Sequence, residues 1–239
     1  MARHPADHPG PFALVLDLDA PALEPDDAHH LERVLRLRAG DPLVLGDGGG
    51  RWRPARFGDR LDPTGPVESV PRPVPAITVA FALVKGNRPE LAVQKLTELG
   101  VDRISPFRAA RSVVRWDEAR AAKAIGRLRA VARAAVQQSH RPWLPEVTDI
   151  VDFPGLLATA TDRIALADRA GAAPSLDRPC VLVGPEGGWA PEERAAAAAA
   201  GAPAMAIGAH VLRAETAAVT AAAILTALRS GLLGEIPSP

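Results

Sequence analysis

The chain has 239 residues, 47% of them hydrophobic, enough to bury a substantial core in one large domain or two modest ones. A single cysteine, Cys180, excludes a disulfide framework and suits a reducing cytoplasm; residues 1–12 lack a basic segment followed by an apolar one, and no uninterrupted apolar run reaches membrane-span length, so a soluble, unexported protein is expected. The net charge of zero hides a partition of −3 over residues 1–84, +8 over 85–145 and −5 over 146–239, the pattern of a middle segment that meets phosphate or, more blandly, of a solvated helix face balanced by acidic neighbours.

Along the chain, Phe12 to Leu18 alternates as a strand does, and Ala28 to Leu37 places Leu31, Val34 and Leu35 at helical spacing. Candidate strands follow at Leu43 to Leu45, Arg51 to Phe57 and Val67 to Val70, with Asp47-Gly48-Gly49-Gly50 as the turn between the first two. A small β-barrel is the economical reading of this part. The segment PRPVPA at 71–76 marks a boundary, predicting domains at 1–72 and 73–239. Beyond it strands alternate with helices, as in a mostly parallel sheet covered on both faces. Ile77 to Val84 reads as a strand buried on both sides. Pro89 to Leu99 reads as a helix closed by Gly100, with Ala92, Leu96 and Leu99 as its apolar stripe and Glu90, Gln94 and Glu98 opposite. After a strand at Ile104 to Phe107, a helix from about Asp117 to Gln138 buries Ile125, Leu128, Ala132 and Ala135 and aligns Arg120, Lys123 and Arg127 as the clearest charge stripe in the chain. Short strands at Ile164 to Ala167, Val181 to Val183 and Ala204 to Ile207 follow. Between the last two, Pro191, Glu192 and Glu193 open an alanine-rich helix that Gly201 closes, and a final apolar helix runs from Glu215 to about Arg229.

Two loops carry the chemistry: LVGPEGGW at 182–189 and IGAHVLRAETA at 207–217, each leaving a short strand. Glycines allow a backbone to approach a ligand closely, and strand ends in an α/β unit are the default place for a small-molecule pocket. GPEGG lacks the lysine and hydroxyl of a phosphate loop and is not GxGxxG. Glu186 repels a nucleotide phosphate but accepts a cation, so S-adenosylmethionine, a sulfonium without phosphate, fits better than ATP or NAD. No metal is implied, because His29-His30 lack ligand spacing and Cys180 has no partner cysteine.

The segments HHLERVLRLRAGD (29–41), KGNRPELAVQKLTELGVDRISPF (85–107), VGPEGGW (183–189) and IGAHVLRAETAA (207–218) closely resemble the 16S ribosomal RNA (uracil-N3)-methyltransferase family, of the SPOUT class. The resemblance covers nearly the whole chain in order and spacing. It implies a PUA-like RNA-binding barrel followed by a SPOUT α/β domain with a C-terminal trefoil knot, an arrangement that periodicity could not supply because knots are nearly absent among folds. It also implies a homodimer, S-adenosylmethionine in the knotted loops, and 16S ribosomal RNA or the small ribosomal subunit as partner. Carried over by residue, Leu83, Val183, Gly184, Pro185, Glu186, Gly187, Gly188, Ile207, Gly208, Val211 and Leu212 are expected to hold the cofactor; His30, Arg33, Arg36, Lys85, Arg88, Arg111 and Arg141, together with the charge stripe Arg120, Lys123 and Arg127, are expected to face RNA. One departure is AVQQSHR at 135–141, where Gln137 and His140 replace the family's usual acid and glycine.

Methylation at uracil N3 requires loss of a proton flanked by two carbonyls and stabilisation of the resulting imide charge. Arg213 is the candidate for that charge, and Glu215 or Glu98 for the proton. A helix-capping Glu215 paired with Arg213, and a surface pair of Glu98 with Lys95, are the structural alternatives. A SPOUT enzyme acting on another RNA position, or a noncatalytic RNA-binding or ribosome-assembly factor with the same fold, are the alternative functions.

Overall fold

The computed structural model describes residues 4–112, 114, 116–159 and 163–234. Two compact units emerge: Met1–Arg72 with Arg133–Leu144, and Pro73–Ala132 with Pro145–Pro239.

The first unit holds β1 (Phe12–Leu14), α1 (Pro25–His29), β2 (Pro42–Gly46), β3 (Arg51–Arg56), β4 (Asp62–Pro63) and β5 (Glu68–Ser69). They form one sheet in the order β1-β2-β3-β4, with β5 also on β3. β1 runs parallel to β2 and the other pairs are antiparallel. Side chains alternate between sheet faces, so Leu43 and Leu45 join Ala13, Leu31 and Phe57 in one cluster, while Val44 joins Phe12, Leu14 and Trp52 in another. The β2–β3 turn is tied by Asp47, whose Oδ1 accepts from the amides of Gly49 (2.7 Å) and Arg51 (3.1 Å). The expected helix over Ala28 to Leu37 is shorter: α1 passes into a π-helical turn at His30–Val34. That i→i+5 turn takes in an extra residue and breaks the 3.6 register. Leu31 is therefore buried, whereas Val34 and Leu35 are 60% and 46% exposed.

Residues 133–144 complete this unit. Val136 packs in the Phe12–Trp52 cluster, and Asp27 accepts hydrogen bonds from Arg133 (2.6 Å) and Gln137 (2.9 Å). His140, where the resemblance expects glycine, keeps a positive φ of 53°, a conformation that glycine adopts at no steric cost.

The second unit is a parallel sheet of β6 (Thr78–Ala82), β7 (Arg103–Arg108), β8 (Glu146–Val147), β9 (Val151–Asp152), β10 (Ile164–Ala172), β11 (Cys180–Val183) and β12 (Ala204–Met205). The order is β12-β10-β11-β6-β7-β8, with β9 also on β7. Its helices are α2 (Arg88–Glu98), α3 (Glu118–Ser139), which contributes its residues up to Ala132 here, α4 (Phe153–Thr159), α5 (Pro191–Ala199) and α6 (Ala214–Arg229). Residues 77–84 are buried throughout. Ile77, Val79 and Phe81 pack with α2, α3 and α6, and Ala80 and Ala82 with α4 and α5, so helices cover both faces as the alternation predicts. β8, β9 and α4 have no counterpart in the sequence reading, because two-residue strands and a seven-residue helix are too short to establish a period. Among the described residues no helix is long and apolar enough to cross a membrane.

Candidate functional site

In a parallel sheet the loops beyond the carboxyl ends of the strands gather at one edge. Here the loops after β11 and β12 do so around a cavity of about 220 Å³. Val183, Gly184, Pro185, Glu186 and Gly188 line it from the first loop; Ile207, Gly208, Val211 and Leu212 line it from the second. Two residues of the expected set lie outside the lining. Leu83 is buried where the chain leaves β6, and the Gly187 carbonyl accepts a hydrogen bond from Arg111 (3.0 Å).

Further residues complete the cavity. Asp168 on β10, Trp189, and Arg194 on α5 line it alongside the loops. Trp189 donates from Nε1 to the Ala167 carbonyl (3.1 Å) and stacks nearly parallel to Phe107 at 6.1 Å between centroids, with Phe153 against it. A Cβ at Gly184 would lie 3.0–3.3 Å from this fixed indole, so glycine there lets the backbone run directly over the ring. The Ala170 amide (3.1 Å) and Arg194 (2.5 Å) hold the Asp168 carboxyl below its ordinary pKa, so it is ionised at neutral pH. The stability this adds is present above the ordinary carboxylate pKa and is lost as pH falls through the depressed value. Trp189 was legible as part of GPEGGW; Asp168 was signalled only by its place just past a predicted strand end.

At the entry to α6, Arg213 occupies the N-cap, exposed and without an ion pair among the described residues. The Arg213–Glu215 pair given as the structural alternative is absent. Glu215 instead lies 3.8 Å from Arg88 Nε, and Arg88 Nη1 pairs closely with Glu186. Arg88 is therefore engaged by two carboxylates, away from the phosphate contact the sequence suggests. Glu215 Oε2 is buried with no hydrogen-bond partner.

Glu98 ends α2, where Lys95 Nζ binds both its oxygens (2.9 and 2.7 Å), the surface pair given above as its alternative; neither Glu98 nor Arg213 or Glu215 is among the residues that line the cavity. Helices of a parallel α/β unit run back along their strands, so α2 ends at the amino edge of the sheet. The far end of α6 marks the same edge, since Arg229 donates to the Gly100 carbonyl at 2.8 Å, and the 16 residues of α6 span about 24 Å.

Of the expected RNA-facing residues, Lys85, Arg120, Lys123 and Arg127 line a second cavity, of about 630 Å³. Arg127 Nε is held by Glu90 Oε1 at 2.5 Å. In the first unit His30, Arg33 and Arg36 are exposed and Arg141 is half-buried. Among the described residues no group of three or more His, Cys, Asp or Glu is placed to hold a metal ion.

Residues 70–226 match the family model of an RNA methyltransferase domain, and residues 23–59 that of an RNA methyltransferase PUA domain. The chain belongs to the RNA methyltransferase family. The ribosomal RNA small subunit methyltransferase E of Mycobacterium tuberculosis is 39% identical over 228 residues, covering 86% of this chain and 85% of that protein. The Synechocystis protein of the same name is 33% identical over 84% of this chain and 70% of its own length. A Legionella pneumophila methyltransferase solved with the bound cofactor SAM matches this RNA methyltransferase with a TM-score of 0.82 at 28% identity, over 92% of this chain and 98% of that one. The small subunit methyltransferase E of Neisseria gonorrhoeae, bound to S-adenosyl methionine, matches with a TM-score of 0.77 at 28% identity, over 91% and 97%.

Proposed function

We propose that this protein methylates N3 of a uridine in 16S ribosomal RNA of the small subunit, using S-adenosylmethionine, and does so in the cytoplasm as a homodimer of the SPOUT class with a trefoil-knotted C-terminal region. The observation that carries the reading is the convergence of both glycine-bearing loops on one cavity, with Arg213 and Glu215 at the adjoining helix entry. Val183, Ile207 and Leu212 offer apolar walls, and the Asp168 and Glu186 carboxylates at the cavity are each paired with an arginine, Arg194 and Arg88. When bound, S-adenosylmethionine supplies an electrophilic methyl group on a sulfonium. Glu215 Oε2, buried and unpartnered, is the atom that takes the N3 proton. Arg213 donates to a uracil carbonyl oxygen as imide charge develops, and the sheet edge holds the base in line. Val211, 87% exposed at the cavity wall, supports a subunit contact beside the site. The first unit, with its PUA match, acts as the second RNA-binding element.

The decisive test supplies labelled S-adenosylmethionine to small subunits lacking their own methylation, followed by nucleoside digestion and mass spectrometry. Label is expected as 3-methyluridine. Label in another nucleoside replaces the substrate, and no transfer by folded protein leaves a noncatalytic RNA-binding factor.

Two variants probe the parts. Gly184→Val drives two methyl groups toward the Trp189 ring, which Ala167 and Phe107 hold in place. Calorimetry is expected to show cofactor affinity reduced at least about tenfold, about 1.4 kcal/mol, and a still cooperative unfolding transition at a stability lowered by about 1–3 kcal/mol, the cost of misfitting bulk in packed surroundings. Reversing Arg120 and Lys123 to glutamate removes two cations from the 630 Å³ cavity. RNA binding is expected to weaken with a shallower salt dependence while cofactor affinity stays put; unchanged RNA affinity moves the contact surface elsewhere.

A further inference from the structure

Trp116 has a different setting from its fellow tryptophans. Trp52 and Trp189 are buried, and Trp143 donates to the Val70 carbonyl at 3.0 Å. Trp116 is half-exposed, its indole N–H has no partner among the described residues, and Arg120 lies 5.9 Å from its ring centroid. It lines the basic cavity beside Lys85, Arg120 and Lys123. Together with Val114 it also lines a neighbouring cavity of about 720 Å³, to which Ala109, Phe153, Pro154 and Ala196 give apolar walls.

The two cavities differ in charge. The first presents lysine and arginine; the second sets the single cation Arg108 against Asp152, Glu192 and Glu193, a net negative lining that repels phosphate. A polyanionic backbone therefore belongs in the first, and an uncharged, flat, apolar-faced group in the second, with the indole as their common wall. An unpaired nucleotide has both parts, and bases of single-stranded RNA are commonly held by stacking on aromatic side chains. In a duplex the same face is already stacked on its neighbour.

We infer that the RNA enters as an unpaired strand whose phosphates follow Lys85, Arg120 and Lys123 while one base stacks on Trp116. This rests on the RNA methyltransferase reading and adds to it a specific base-stacking residue, Trp116, which selects single-stranded over duplex RNA.

The test measures binding of a fluorescently labelled oligouridine strand, and of a matched perfect duplex, to wild type, Trp116→Ala, Trp116→Phe and Trp116→Leu over a range of salt. Affinity of Trp116→Ala for the strand is expected to fall at least about fivefold, the low end of what one stacked base contributes. Phenylalanine recovers most of it, and leucine, apolar but without a π face, does not. The slope of log affinity against log salt is expected to stay that of wild type, because the cations are untouched. Calorimetric cofactor binding serves as the control for folding. Wild-type affinity in Trp116→Ala, an equal loss on duplex, or full recovery by leucine overturns the inference. These outcomes are independent of methyl transfer: a wild type that binds the strand through Trp116 yet transfers no methyl overturns the enzymatic reading alone.

Discussion

Asp102→Ala is expected to lower stability by about 3–5 kcal/mol, the range for leaving a buried charge without its partner. Asp102 and Arg229 have side chains only 2% and 8% exposed and form a close ion pair. Each has further partners: Asp102 Oδ2 accepts from the Ile77 amide (2.9 Å), and Arg229 donates to the carbonyls of Pro75 (3.2 Å) and Gly100 (2.8 Å). The pair thus joins the last turn of α6 to the residues leading into β6 and β7, and Arg229 also meets the negative end of the helix dipole. Against a total stability of about 5–15 kcal/mol the loss is large. Denaturant unfolding of Asp102→Ala, Arg229→Met and the double variant checks it: each single change is expected to cost several kcal/mol and the double change less than their sum, since each single variant strands the opposite charge of the pair and the double variant strands neither. Single losses below about 1 kcal/mol, or strict additivity, would show that water already serves these charges.

Arg213→Ala is expected to reduce kcat by about a hundredfold to a thousandfold, the usual consequence of removing one donor from a developing anion. Arg213 stands exposed at the α6 N-cap without an ion pair among the described residues, adjoining a cavity that Ala214 and Ala217 of the same helix line. Its replacement therefore breaks no observed contact, and cofactor affinity and unfolding are expected to remain those of wild type. Glu215→Gln is expected to show a comparable loss in kcat, because an amide cannot take the N3 proton at Oε2. Single-turnover kinetics separate this from RNA binding. If Arg213 only grips phosphate, KM rises while kcat holds, and its role passes to another residue.

The segments legible in the sequence were those with enough residues to establish a period. The apolar run from Ile77 to Val84, the stripe of Ile125, Leu128, Ala132 and Ala135, and the proline-to-glycine bounds of α5 all stand where the pattern places them. Where local geometry departed from the period, as at the π-helical turn after His29, the apolar stripe misled and Val34 and Leu35 proved exposed. The glycine loops were legible for a similar reason: where the backbone passes a side chain as closely as Gly184 passes Trp189, a Cβ would be crowded at 3.0–3.3 Å, and that constraint is written in the residue itself.

By itself the sequence determined the alternation of strands and helices, the two loops at the strand ends, and the concentration of positive charge between residues 85 and 145. Each follows from neighbouring residues, because burial and backbone conformation are imposed over a few positions at a time. The tertiary structure alone decided partners. It paired Arg88 with Glu186 and Glu215, left Arg213 without an ion pair among the described residues, set Asp168 and Arg194 beside the loops, and gave residues 133–144 to the first unit. Spacing says nothing about such pairings: an ion pair depends on distance and burial, and residues about a hundred positions apart acquire both only when the chain returns.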